Sequence, residues 1–221
     1  MAFALAPGIT FCDAGGRFVF LDVPKDRYFC LGADPEEGFR RFVAGAPLAE
    51  ADEARLRTLA VQGLLVPAPA DVRPEPCRPP ASIRMPLFQE NLPVSRRRVL
   101  AAAASLIRAR IMLRYRSLHS QITSIQAMKD GSRGVNQAAD ERLVEISVAF
   151  RRAALITGSL NQCLANSIAI VRHARSADLR AELVLGVKLR PFRAHAWVLA
   201  NDVLISDAAD TVSPFTPILV V

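Results

Sequence analysis

Long hydrophobic runs are missing from this chain of 221 residues. The longest candidate, residues 99–107, falls far short of the roughly 20 apolar residues that a membrane-spanning helix needs. The first residues, Met-Ala-Phe-Ala-Leu-Ala-Pro, place no basic side chain ahead of their short apolar stretch, which argues against a secretory signal. We therefore expect a cytoplasmic protein that does not bind membranes.

Cysteine is also sparse. The chain has four cysteines with no CxxC pair or other metal-ligand spacing, which excludes a disulfide framework. They are Cys12, Cys30, Cys77 and Cys163. We expect free thiols and, since no cluster of ligands is visible, neither a metal nor an organic cofactor. Each cysteine taken alone is by default a small buried hydrophobe.

Acidic side chains are few in the second part of the chain. Residues 1–80 carry nine basic and eleven acidic side chains, a net charge of −2, whereas residues 81–221 carry 19 basic and ten acidic side chains, a net charge of +9. A basic half is compatible with RNA binding. The sequence nevertheless has no basic strand interleaved with aromatic residues and no glycine-rich phosphate loop, so we do not expect a nucleic-acid partner.

Proline marks a boundary between domains. Eight of the fifteen prolines fall between Pro67 and Pro93, and such a composition cannot sustain a helix or a central strand. We predict one domain at residues 1–68, a linker at residues 69–94, and a second domain at residues 95–221.

The first domain has the pattern of three strands followed by two helices. Asp34 is the predicted N-cap of the first helix, and Gly45 lies just beyond its end. The predicted strands cover residues 9–12, 17–23 and 27–31, and the second helix runs from about residue 50 to 62. This βββαα order is winged-helix-like, but the net charge of −2 weighs against DNA binding.

The second domain has helices first and a small antiparallel sheet after them, which makes the chain an α+β protein. The predicted helices cover residues 95–117, 118–129, about 140–156, and 161–172. From residue 181 the apolar period changes to two, which predicts strands up to residue 189 and then at residues 194–199 and 203–207.

Cys163 is the cysteine that chemistry can use, because it lies at or near the start of a predicted helix, where the helix dipole favours a thiolate. Only three histidines can serve as its base. His173 is ten residues along the same helix, about 15 Å away, and His119 belongs to the arginine-rich helical region. That leaves His195, on a strand after the helix.

A third group must orient the imidazole, and Asp207 is the natural candidate, twelve residues further on. Asp202 belongs to the turn and should face solvent, whereas Asp210 remains a second possibility. If His195 and Asp207 are cross-strand neighbours, Leu199 pairs with Val203 across a three-residue loop, Ala200-Asn201-Asp202.

These residues resemble the transglutaminase-like, papain-like cysteine protease domain of lasso-peptide B proteins. The specific points of resemblance are Cys163-Leu164, Pro191-Phe192, His195-Ala196-Trp197 and Asp207. The βββαα pattern at the N-terminus resembles the PqqD-like element that these proteins use to recognise a precursor peptide.

The resemblance implies a leader peptidase. Cys163 would attack a leader-peptide carbonyl, His195 would act as general base, and Asp207 would orient His195. The oxyanion would meet the Cys163 backbone amide, with Gln162 or Asn161 as further candidates. The implied partners are the leader of a ribosomally made precursor and a lasso cyclase, an ATP-using, asparagine-synthetase-like enzyme.

An extended leader can bind by adding a strand to the exposed edge of a three-stranded sheet. The predicted groove comprises Arg27, Tyr28, Phe29 and Leu31 on the third strand, and Leu56 and Leu59 on the second helix. Two alternatives to a peptidase stay open. They are an acyltransferase or transglutaminase with the same triad, and a non-catalytic adaptor that only binds peptide.

Overall fold

A computed structural model of the chain describes residues 2–69, 72–78, 92–128, 137–200 and 203–221, with the backbone alone for residues 137–140. The chain divides into two compact units, residues 1–78 and 79–221. Five short strands and two helices make up the first unit, and helices followed by an antiparallel sheet make up the second, which confirms the α+β class. None of the helices in the described ranges combines the length and apolar character that a bilayer crossing requires.

The first unit contains the three predicted strands and two predicted helices, together with a strand pair that the sequence pattern did not reveal. Its elements are β1 (Ala2–Leu5), β2 (Ile9–Ala14), β3 (Arg17–Asp22), β4 (Arg27–Cys30), α1 (Ala33–Ala44), α2 (Glu50–Val61) and β5 (Leu65–Ala68). Strands β2, β3 and β4 form one antiparallel sheet in that order, and β1 pairs with β5. Strands β1 and β5 are only four residues long, too short for a two-residue period to stand out.

Phenylalanine rings fill the core of the first unit. Phe11 contacts the rings of Phe18, Phe20 and Phe39 at centroid distances of 5.2–5.5 Å. Leu56 and Leu59 of α2 close the same core. The alternating residues of the sheet and the apolar stripe of two helices therefore meet in a single aromatic cluster.

The ends of α1 differ in one respect from the prediction. Gly32, not Asp34, is the N-cap, and Asp34 lies in the first turn, where its negative charge still suits the helix dipole. Gly45 caps the other end in the left-handed conformation, with φ of 70°.

Part of the proline-rich segment beyond β5 contacts the sheet of the first unit. Cys77 donates its backbone N–H to the carbonyl of Phe11 in β2 over 2.7 Å.

The second unit consists of helices and a four-stranded antiparallel sheet. Its elements are α3 (Arg96–Tyr115), α4 (Leu118–Gln126), α5 (Gln137–Thr157), α6 (Cys163–Ser176), β6 (Ala181–Lys188), β7 (Arg193–Ala200), β8 (Val203–Leu204), α7 (Ala209–Val212) and β9 (Thr216–Val220). The sheet has the order β8-β7-β6-β9. Helix α6 packs against α3, α5, β6 and β7. The buried Arg175 joins α6 to its surroundings by donating to the carbonyls of Ala181 and Ile125 over 2.8 and 2.7 Å.

The predicted pairing of the last hairpin is wrong. Leu199 pairs with Leu204, and Ala200 pairs with Val203, so Leu199 does not face Val203 and Ala200 belongs to the strand. Asn201 and Asp202, which the prediction placed in the loop, lie outside the described residues. The strand β8 also ends at Leu204, three residues earlier than predicted, and this early end matters for the position of Asp207.

Candidate active site

Cys163 is the first residue of α6, and Gln162 is the N-cap. The turn before the helix is held at Ser159, whose carbonyl accepts hydrogen bonds from the Gln162 backbone N–H over 3.0 Å and from Asn166 Nδ2 over 2.8 Å. Gly158 supplies the left-handed conformation, with φ of 63°, that ends α5 just before this turn. The thiol is therefore placed at a helix N-terminus by a turn with fixed hydrogen bonds.

His195 lies on β7 and meets Asp207, which follows β8. The ring nitrogen Nε2 lies 3.1 Å from Oδ1 of Asp207, within hydrogen-bonding distance. The two side chains are 16% and 20% exposed, so water screens this contact only in part. The contact with Asp207 leaves the other ring nitrogen, Nδ1, unused, and an interaction with Cys163 contributes to the raised pKa of His195.

Asp207 reaches His195 although the observed pairing of Leu199 with Leu204 differs from the pairing that would have made these two residues cross-strand neighbours. A two-residue loop would turn Asp207 to the opposite face of the sheet if β8 continued. The strand pairing instead stops after Ile205, whose N–H donates to the Val198 carbonyl. Ser206 then takes the place of the backbone, because its Oγ accepts from Val198 N–H over 2.9 Å and donates to Asp207 Oδ2 over 2.6 Å.

The pKa values of Cys163 and His195 shift toward an ion pair. Burial alone would raise the pKa of Cys163, but the hydrogen bonds from His195 and the backbone of Ala196, and the charge of His195, lower it below the ordinary thiol value. The hydrogen bond to Asp207, followed by the hydrogen bond to Cys163, raises the pKa of His195 to about 9. The geometry thus favours a thiolate beside an imidazolium.

Comparison with protein families gives one match, to the transglutaminase-like superfamily, over residues 103–220. The match covers more than half of the 221 residues and includes the cysteine, the histidine and the aspartate just described. The chain belongs to the transglutaminase-like superfamily. Comparison with curated proteins and with solved structures found no match.

Aromatic side chains hold the imidazole of this transglutaminase-like domain. The ring of His195 lies 6.2 Å from that of Trp197 and 5.3 Å from that of Phe215. Gly186 pairs with His195 on the neighbouring strand, and a Cβ on Gly186 would come within 2.5 Å of the Trp197 ring. The close approach of Trp197 to β6 therefore requires glycine at this position.

Two cavities of the transglutaminase-like domain open at Cys163. One, of about 530 Å³, lies between α3 and the start of α6, and both oxyanion candidates, the exposed Asn161 and the half-buried Gln162, line it. The other, of about 580 Å³, holds His195, Asp207 and Ser206. The thiol is thus accessible from two sides.

The remaining candidates of the second unit lie elsewhere. Asp210 is an exposed residue of α7, and the structure brings Asp207, not Asp210, to the His195 ring. His173 packs edge-on against Phe150, and burial lowers its pKa. His119 is an exposed residue of α4. The described residues contain no group of three or more His, Cys, Asp or Glu side chains arranged to hold a metal ion.

Four of the predicted groove residues line one cavity in the first unit, and two do not. The cavity measures about 340 Å³ and lies between β4 and the end of α2, and its lining includes Arg27, Phe29, Leu31 and Leu59. Leu56 is only 1% exposed and belongs to the aromatic core. Tyr28 follows the alternation of β4 and points to the face opposite Phe29.

Sequence reasoning missed the polar residues that support the site. Ser206 positions Asp207, and Asn166 ties α6 to the preceding turn. Ser167 is buried in the wall of the larger cavity, and its Oγ has no hydrogen-bond partner. A signal existed for Ser206, which directly precedes the candidate acid, but the adjacent Asn166 and Ser167 look like ordinary polar residues of an amphipathic helix.

Proposed function

We propose that the chain is a cysteine peptidase that removes the leader from a ribosomally made precursor in lasso-peptide biosynthesis. The observation that carries this proposal is the convergence of Cys163, His195 and Asp207 at the start of α6, with pKa shifts that favour a thiolate and an imidazolium. Within the superfamily, the proposal adds the peptidase reaction and the precursor peptide as substrate.

The proposed reaction uses Cys163 as the nucleophile and His195 as the group that gives and takes a proton, while Asp207 orients the His195 ring. The Cys163 thiolate attacks the scissile carbonyl, and the backbone amide of Cys163, with Gln162 beside it, meets the oxyanion. The His195 imidazolium gives its proton to the leaving amine as the C–N bond breaks, which leaves an acyl-enzyme. His195 then takes a proton from water as the water oxygen attacks the thioester carbon. The C–S bond breaks, and Cys163 leaves as the thiolate, which restores the pair of thiolate and imidazolium.

The first unit supplies the proposed recognition of the leader. Strand β4 is an edge of its sheet, so an extended peptide can add a strand there. Beside this edge, the cavity with Phe29, Leu31 and Leu59 offers apolar contacts, and Arg27 adds a positive charge. In the proposed pathway the freed core passes to a lasso cyclase, and the whole process takes place in the cytoplasm.

The test begins with the thiol. A fluorescent iodoacetamide should label Cys163 of the full chain faster than Cys30, which is exposed and whose pKa burial raises. Cys163→Ala should abolish cleavage of a lasso precursor peptide supplied as substrate, whereas Cys30→Ala should leave the rate within about twofold. Cleavage by Cys163→Ala near the wild-type rate would exclude the peptidase.

Two further readouts separate the alternatives. Addition of a primary amine to the reaction tests for acyl transfer, because a transglutaminase or acyltransferase would give a leader fragment with the mass of the amine added. An adaptor would bind the precursor, show slow labelling of Cys163, and produce no fragment. A hydrolysed leader as the main product supports the peptidase.

A further inference from the structure

The two cavities at Cys163 differ in which of them contains the proton donor. His195 and Asp207 line the larger cavity, whereas neither lines the cavity beside α3. We name the latter the α3 cavity and define it by Arg110, Ile111, Leu113, Arg114, Gln162 and Leu164. Because Cys163 belongs to both, a bound peptide can pass from one cavity to the other over the thiol.

The chemistry of the leaving group determines which end of the bound peptide lies in which of the two cavities. The leaving amine must lie beside the imidazolium that protonates it, so the residues after the cut lie in the cavity of His195. The acyl group that stays on Cys163 then points to the opposite side. The residues before the cut therefore lie in the α3 cavity.

The lining of the α3 cavity indicates what kind of residue it selects. Helix α3 leaves Leu100, Ile107, Ile111 and Tyr115 exposed, and of these only Ile111, which is 53% exposed, lines the cavity. An apolar side chain of the peptide can cover it there. Arg110 is already used, because its Nη1 donates to the Thr157 carbonyl over 3.1 Å and so fixes the turn before Cys163. Arg114, one helical turn further on, is exposed and has no ion pair with any described residue.

We propose that the α3 cavity binds the acyl side of the substrate and that Arg114 selects an acidic residue there, next to an apolar residue that covers Ile111. This inference rests on the proposed peptidase function and adds a substrate preference to it. Arg114 acts as a specificity residue and takes no part in the reaction itself. Its exposed position limits the preference to the modest value of a surface ion pair.

The test uses peptide probes whose acyl side is fixed by their chemistry. Two vinyl sulfones, acetyl-Glu-Leu-Gly-vinyl sulfone and the matching Lys-Leu-Gly probe, place their residues on the acyl side of Cys163. The thiolate forms a C–S bond at the vinyl carbon β to the sulfone, which is bonded to the glycine carbon. The C=C π bond breaks, and the carbon beside the sulfone takes the proton of His195. Mass spectrometry of the full chain measures the rate at which each probe labels Cys163.

We expect the glutamate probe to react about fivefold faster than the lysine probe at low ionic strength, and this ratio to shrink as salt is added. Arg114→Glu should reverse the order of the two probes. The control is Arg97→Glu, an equal change of charge on the same helix about 25 Å away, which should keep the wild-type ratio.

Equal rates for the two probes, or a ratio that Arg114→Glu leaves unchanged, would overturn the inference. Its failure can be told apart from failure of the proposed function by iodoacetamide, which has no peptide. If iodoacetamide labels Cys163 in a His195-dependent way while the probes show no preference, the activated thiol on which the proposed function depends is present and the Arg114 assignment is wrong. If His195→Ala leaves iodoacetamide labelling unchanged, the proposed function itself fails.

Discussion

The two units treat their buried polar groups differently. In the first unit, Glu36 is buried but accepts hydrogen bonds from Arg17 Nε over 2.7 Å, from the Phe18 backbone over 2.9 Å and from Arg40 Nη2 over 3.3 Å. Asp52 is likewise paired, with Arg41 and Arg55. Among the described side chains of this unit, only Thr10 has a buried polar atom without a partner.

The second unit leaves several buried polar atoms without a hydrogen-bond partner. They belong to Gln121, Asn166, Ser167, Arg172 and Trp197. Asn166 and Ser167 line the same cavity as Cys163. An unsatisfied buried group costs stability, and natural proteins concentrate such groups where a ligand or a reaction uses them. The first unit thus pairs its buried carboxylates, whereas two of the residues with unpartnered atoms in the second unit lie beside Cys163.

The largest expected effect is on the reaction. His195→Ala should lower cleavage of the precursor by at least about 10³-fold, since it removes both the proton donor and the group that favours the thiolate. His173→Ala is the matched control, because His173 lies on the same unit but outside the site, and should stay within a few-fold of wild type. A similar loss in both variants would mean that the effect comes from folding.

The next effect should be on the stability of the first unit. Glu36→Ala leaves Arg17, Arg40 and the Phe18 N–H without their shared acceptor, and should lower the free energy of unfolding by about 3 kcal/mol. Urea denaturation followed by circular dichroism measures this loss. Trp197, the one tryptophan of the chain, reports on the second unit in the same samples. A loss below about 1 kcal/mol would show that Glu36 is not an organising group.

The pH dependence of cleavage tests the ion pair in the second unit. Cleavage should rise with pH as Cys163 loses its proton, at a pH below the ordinary thiol value, and fall above about 9 as His195 loses its own. Asp207→Asn removes the largest cause of the raised His195 pKa, so the alkaline fall should move to lower pH. Asp210→Asn should leave the profile unchanged. If Asp210→Asn moves it and Asp207→Asn does not, Asp210 is the orienting acid.

The smallest expected effect sharpens the comparison of buried polar groups. Ser167→Ala removes a hydroxyl that has no partner, so the free energy of unfolding should change by less than about 0.5 kcal/mol. Ser159→Ala removes an equally buried hydroxyl that is hydrogen-bonded to Thr157 over 2.8 Å, and should cost about 1 kcal/mol. Trp197 fluorescence during urea denaturation measures both. A larger loss for Ser167→Ala would contradict the contrast between buried hydroxyls with and without a partner.

Cys163 and His195 could be predicted from the sequence, because residue type and position in the predicted elements were enough to select them. A cysteine at a helix start is rare, and only three histidines competed for the place beside it. Asp207 was predicted from a pairing of Leu199 with Val203, and the structure does not contain this pairing. Its position depends on the early end of β8 and on the Ser206 side chain, and neither follows from strand periodicity.

The long elements of the fold were predictable for a similar reason. Helices such as α3 and α6 contain enough residues to show a period, and their ends are marked by Ser95 and by the turn at Gly158. Short strands such as β1 and β9 have only four and five residues, too few for a two-residue period to stand out. The cavities depend on how the elements pack, which is why Arg114 could not be associated with Cys163 before the structure.

Gly186 has a consequence for how genetic data on this protein would be interpreted. It has no functional group, yet any side chain at this position would displace Trp197 and with it the ring of His195. Loss-of-function screens would therefore rank Gly186 beside Cys163, His195 and Asp207, the residues of the proposed triad. Such a screen alone would show four essential positions, and Gly186 would be among them only because its neighbours leave no room for a side chain.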